Sequence, residues 1–195
     1  MSDYPQRSYH PKEIEHFIDK AIKAVSELEF IHATVVTPSR VAKTSQAPDD
    51  TLVGNATPGL LFTKNTDAAA RLFKISPGYV HGSANFHIHW TKSTDTDDLD
   101  KTVRWRVTIN TSSHGNSDDL TETPTVFEVE DSYPSSDETG RIFMTTEFVP
   151  LDSVLSEGDY VSLKIEAITP LTGEELSEPV LIALDFTYYR NIHLV

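Results

Sequence analysis

Between His10 and Phe30 the apolar residues recur at steps of three and four, at Ile14, Phe17, Ile18, Ala21, Ile22, Val25 and Leu28, which puts them on one face of a helix. Pro11 suits the first helical position, where its missing N–H costs nothing, and Glu13 sits where the positive helix end favours an anion. Ile14, Ile18, Ala21, Val25 and Leu28 also fit an a/d heptad, over a length short for an autonomous coiled coil. Two outcomes stay open: the helix docks on its own domain, or it joins another copy or a partner.

From Phe30 onward the period changes to two. The runs "IHATVV", "GLLF", "RLFKI", "ANFHIHW", "VRWRVTIN", "TVFEVE", "IFMTTEF", "YVSLKIEAI" and "VLIALDFTYYR" are predicted strands, separated by polar loops such as "TKSTDTDDLDK" and "DSYPSSDETG". In "VRWRVTIN", Val103, Trp105, Val107 and Ile109 face one way, with Arg104, Arg106 and Thr108 opposite. Val161, Leu163, Ile165 and Ala167 form the apolar face of "YVSLKIEAI". Strands with one wet face pair antiparallel, and the set predicts a mainly β protein: an antiparallel two-sheet β-sandwich of jelly-roll type with one N-terminal amphipathic helix. The expected division is an arm and helix over residues 1–30 and the sandwich over 31–195. The Pro/Ser/Thr-rich "TPSRVAKTSQAPDDTLVGNATP" between helix and strands is expected to be an extended crossing or a loop that lies on a neighbour.

Composition narrows the function. The 195 residues suffice for one core, and the net charge of −14 opposes nucleic acid or an anionic membrane, which clustered Lys and Arg would have to bind. With no cysteine there are no disulfides, thiolate metal sites or cysteine nucleophiles. The polar start "MSDYPQRSYH" and the lack of a long apolar run argue against secretion or membrane insertion.

The most suggestive chemistry is "NFHIHW". On a strand, His87 and His89 share one face while Phe86, Ile88 and Trp90 share the other. Two imidazoles at that spacing can chelate a metal, and a cupin site resembles this, but it requires a Glu soon after the second His and a His on a later strand. Thr91, Lys92, Ser93 and Thr94 stand where the Glu belongs, and the later strands carry no His, although His193 could supply a third ligand if the last strand lies alongside. Hydrogen-bonded histidines on a surface or interface are the expectation, and no cofactor is expected. Asp95, Asp97, Asp98 and Asp100 lack the glycine turn and distal Glu of a calcium loop. The carboxylate pair Glu128 and Glu130 could in principle serve glycoside hydrolysis. No nucleophile elbow or phosphate loop is present, so the protein is expected not to be an enzyme. For a carbohydrate-binding face the aromatic candidates are Trp90, Trp105, Tyr188 and Tyr189. The tryptophans sit among apolar neighbours that predict core packing, and the two tyrosines alternate, so at most one faces a ligand.

The "HIHW" strand, a Trp-centred strand and a late "LDFTYYRN" strand closing on "IHLV" together resemble a family of β-sandwich structural proteins of tailed bacteriophages. In that family the motif reads His-x-His-Trp and the ending reads Asp/Asn-Ile-His-Tyr. Here Phe86 to Trp90 match, and so do Asn191, Ile192 and His193, with Leu194 replacing the aromatic. The resemblance spans roughly Asp49 to His193; the helix has no counterpart in it, and the usual polar tail is missing after Val195. It implies a virion component assembled in the host cytoplasm: a homotrimeric capsid decoration or cement protein that binds the major capsid protein. An alternative is a fibre module that recognises host surface glycans, and a cupin-like metal enzyme is a third. Under the decoration reading the interface is expected at Ile14, Phe17, Ile18, Ala21, Val25 and Leu28 on the helix and at His87, His89 and His193.

Overall fold

The structure, a computed structural model, describes residues 11–26, 28–36, 47–53, 56–93, 99–112, 124–134, 144–148 and 155–192. Helix α1 (Pro11–Ser26) is followed by β1 (Leu28–Val36), β2 (Asp49–Val53), β3 (Thr57–Leu61), β4 (Ala68–Lys74), β5 (Asn85–Lys92) and β6 (Thr102–Ser112). Then come β7 (Thr125–Ser132), β8 (Met144–Phe148), β9 (Tyr160–Ile168) and β10 (Pro179–Asn191). Leu28 therefore opens a strand instead of continuing the helix, and β1 runs across the expected boundary at residues 30 and 31. β2 lies in the stretch expected to be a crossing. It pairs with β3 from Asp49 opposite Leu61 to Val53 opposite Thr57.

Sheet A has six strands in the order β2-β3-β10-β5-β8, with β1 also on β10, and sheet B has four in the order β4-β9-β6-β7. Apart from β1 and β2, the strands pair from the ends inward: β3 with β10, β4 with β9, β5 with β8 and β6 with β7, all antiparallel. That is the jelly roll, a long antiparallel ribbon folded over into two sheets.

The core lies between the sheets, where the predicted faces meet. Trp90 and Trp105 are fully buried and cross near edge-on with ring centres 6.5 Å apart; Phe62 meets Trp105 edge-on at 5.6 Å, and Tyr133 meets Trp90 at 6.2 Å. The alternating faces of β6 and β9 are inward as expected. A polar chain joins the sheets at one rim: the Trp90 indole N–H donates to Thr146 Oγ1 at 2.9 Å, and that hydroxyl donates to Asp131 Oδ2 at 2.7 Å. It seats β8 of sheet A against β7 of sheet B. The opposite, outer face of sheet B is charged, with Arg104 and Arg106 of β6 beside Glu128 and Glu130 of β7.

β10 is the strand that positions the site. Against β5 its register slips by one between Leu181, opposite Trp90, and Ala183, opposite His89. Ile182 is the surplus residue of this bulge. Beyond it Leu184, Phe186 and Tyr188 point into the core, and Asp185, Thr187 and Tyr189 take the outer face of sheet A.

Candidate functional site

The outer face of sheet A gathers polar and aromatic side chains from four neighbouring strands. Strict alternation sends Phe86, Ile88 and Trp90 of β5 inward, so His87 and His89 emerge outward. β10 contributes Asp185, Thr187 and Tyr189 on one side of them, β8 contributes Thr145 and Glu147 on the other, and β1, beyond β10, contributes Phe30 and His32. Phe30, His32, His87, His89, Asp185 and Thr187 line a shallow groove of about 260 Å³.

Asp185 is the hub. Its Oδ2 accepts from His32 Nε2 at 2.9 Å and from His89 Nε2 at 3.0 Å, although the carboxylate is only 9% exposed. Both imidazoles present N–H to the carboxylate, because an ionised carboxylate only accepts. In neutral His89 the other nitrogen, Nδ1, is then the acceptor, and Thr145 Oγ1 lies 3.0 Å from it. His87 Nδ1 lies 3.1 Å from Glu147 Oε1, and its Nε2 lies 3.2 Å from Thr187 Oγ1. The rings of His87 and His89 lie nearly parallel, with centres 6.5 Å apart and 13° between planes. Next to this polar array Phe30 and Tyr189, directly opposite in the β1–β10 register, stand with ring centres 5.4 Å apart; they are 57% and 45% exposed.

Every imidazole edge of His87 and His89 is engaged, so no ring lone pair stays open toward a cation. Among the described residues no group of three or more His, Asp or Glu is arranged to hold a metal ion. His193 lies outside the described residues, as do Asp95, Asp97 and Asp98.

Glu128 and Glu130 are elsewhere, on sheet B, and do not suit glycoside hydrolysis. The Arg106 hydrogen bond, reinforced by the charge of Arg104, holds Glu128 below the usual carboxylate range. The backbone N–H of Leu171 and the Thr172 hydroxyl do the same for Glu130. A general acid needs the opposite shift.

No protein-family model matches the sequence, and no curated protein matches it. Among solved structures the chain is similar to a xylan-binding module, CBM15, with a TM-score of 0.43 and 12% identity over 82% of this chain and 97% of that one. A likeness that distant carries no functional argument.

Of the residues singled out in the sequence, His87 and His89 are in the groove, and Tyr189 is the outward member of its pair. Trp90, Trp105 and Tyr188 are core. On the helical face Ile14, Phe17 and Ile18 are 47%, 60% and 51% exposed, and Ala21 is exposed with them. The expectation missed Phe30, His32, Asp185 and Thr187. The available signal was a lone carboxylate, Asp185, inside the apolar run "VLIALDFTYY".

Proposed function

We propose that the outer face of sheet A binds carbohydrate and that the protein is a non-catalytic glycan-recognition module. One observation carries this reading: an exposed aromatic pair, Phe30 and Tyr189, borders a groove of hydrogen-bonding groups centred on Asp185. A sugar ring has an apolar C–H face and a rim of hydroxyls that both donate and accept. The C–H face packs on the electron-rich face of an aromatic ring, and the rim meets carboxylate, imidazole and threonine hydroxyl. The groove's volume is below the roughly 300–1,000 Å³ of pockets that engulf drug-sized ligands, which suits a single ring of a glycan lying across the sheet.

The same geometry limits affinity. At about −0.3 kcal/mol per non-hydrogen atom, a hexose of about 12 such atoms gains roughly 4 kcal/mol, a millimolar Kd. The test is therefore a glycan array probed with the protein displayed in many copies. Binding to a defined glycan class should disappear in Tyr189→Ala and Phe30→Ala, and should fall in Asp185→Asn, with the near-UV circular dichroism unchanged. No glycan retained at multivalent display, or retention that ignores all three substitutions, rejects the reading.

The exposed apolar side chains Ile14 and Ile18 of α1 favour a second reading, that of a virion structural protein attached to a capsid or fibre, with the sheet face turned outward. Immunolabelled electron microscopy of particles tests it, and absence of label from purified particles rejects it.

A further inference from the structure

We propose that the groove on sheet A selects sugars bearing an anionic group, a carboxylate or a sulfate, and holds them in mild acid, when His32, His87 and His89 are imidazolium. The inference rests on the glycan reading and names its ligand class. It starts from the partners of the three rings. His32 Nε2 and His89 Nε2 meet Asp185 Oδ2, and His87 Nδ1 meets Glu147 Oε1. The remaining contacts, His87 Nε2 with Thr187 and His89 Nδ1 with Thr145, are to hydroxyls. Carboxylates and hydroxyls all accept hydrogen bonds, so each ring can carry its second proton without losing a partner. A ring held by a backbone N–H or an ammonium could not.

Charge then decides the ligand. Among the described residues, the charged groups that face these rings are Asp185 from β10 and Glu147 from β8. β1 and β5 supply only the histidines: Glu29 pairs with Arg190 at the strand ends, and Lys92 is turned toward the Tyr133 ring. Two carboxylates outweigh three neutral imidazoles and are outweighed by three imidazolium ions, so the face turns from anionic to cationic. Histidine makes that change between about pH 5 and 8. The chain as a whole stays acidic, since its 30 Asp and Glu exceed its 16 Lys and Arg and 8 His together. The groove thus becomes a local attractor for anions on a surface that otherwise repels them.

Exposure orders what a ligand meets. The His32 side chain is 54% exposed, whereas Asp185 lies beneath the rings and Glu147 is outside the groove's lining. An amino sugar would have to reach past the imidazoles to a carboxylate that they already engage; an acidic sugar meets the imidazoles first. His32 Nδ1 bonds no group among the described residues, and protonation turns it from an acceptor into a donor. His32 stands two residues from Phe30 on the same face of β1, about 7 Å along the strand. A sugar with its C–H face on Phe30 and Tyr189 therefore carries its acidic group toward His32, away from the negative faces of the aromatic rings.

A glycan array read at pH 8 and pH 5.5, with the protein displayed in many copies, tests this with uronate, sialate and sulfate glycans, their neutral parents and amino sugars. Retention of acidic glycans should rise about tenfold at pH 5.5, and that of the neutral parents should change less than about twofold. The carboxylate and sulfate arms identify which anion is taken. His32→Gln and His89→Gln should each shrink the rise, and His16→Gln, on α1, should leave it as it is. An unchanged near-UV spectrum at both pH values shows that the variants are folded. Neutral glycans retained without a rise for acidic ones overturn this proposal and leave the glycan reading standing. Preference for amino sugars, or a rise that persists in both groove variants, does the same. No glycan retained at either pH overturns both.

Discussion

Replacing Thr146 by valine should destabilise the sandwich far more than its small change in shape suggests. The hydroxyl is buried and plays two parts, accepting from the Trp90 indole at 2.9 Å and donating to Asp131 at 2.7 Å. Valine keeps the volume and removes both. The buried indole N–H left without an acceptor costs about 1–3 kcal/mol, and loss of a hydrogen bond to a carboxylate costs about 1.5–3 kcal/mol. The added methyl returns about 0.8 kcal/mol. The net loss is about 3 kcal/mol, which lowers Tm by roughly 6–12 °C for a domain of this size. Urea unfolding followed by tryptophan fluorescence measures it, with an unchanged m value required for the comparison. Thr146→Ser keeps the hydroxyl and loses only a methyl, so it should cost about 1 kcal/mol. If valine proves as stable as wild type, or serine as damaging as valine, the polar chain does not hold the rim. The effect should reach the ligand face as well, because Thr145 and Glu147 flank Thr146 on β8 and bond His89 and His87.

The charged face of sheet B predicts an acid limb. Glu128 and Glu130 are both held below the ordinary value of 4.5, by Arg106 and by the Leu171 N–H respectively, so their contribution is present above that value and is lost as pH falls through the lower folded values. Urea midpoints should fall below about pH 4.5, less steeply for Glu128→Gln with Glu130→Gln; identical slopes would show that the ladder adds nothing. Gly78 has φ +78°, and a Cβ there would lie 2.4 Å from the Asn191 carbonyl oxygen, so Gly78→Ala should cost about 2–4 kcal/mol. Gly158, at φ +80° with open space around it, should cost only about 1 kcal/mol on the same change. Thermal melts of the two variants decide whether crowding adds to backbone strain, and equal losses would refute that.

Much of the sandwich was legible because one face of most strands is wet. In β6 and β9 the two-residue period marks inside and outside without ambiguity, so Trp105 and Leu163 could be placed in the core from their neighbours alone. β2 was not legible: in "DDTLV" only Leu52 and Val53 are apolar, and Leu52 is exposed. Its strand form comes from pairing with β3. At the candidate site, His87 and His89 could be assigned one face, but their partners could not be assigned. Asp185 lies 153 positions from His32 and 96 from His89, and only the end-to-end pairing of the jelly roll brings these strands together. The helix illustrates the opposite limit. Its apolar face follows from spacing, but periodicity is blind to what covers that face, and Phe17 is 60% exposed.

The surplus residue at Ile182 lets β10 change the parity of its inward positions: Leu181 before it and Leu184, Phe186 and Tyr188 beyond it all face the core, which strict alternation along one strand would forbid. Deleting Ile182 would leave Leu181 opposite Trp90 and Ala183 opposite His89 as plain neighbours, so Asp185 and Thr187 would stay beside the histidines of β5. Inside and outside on this sheet are thus set by a count, and the bulge holds one residue of slack in that count: β10 can lose a codon here without turning the recognition face into the core.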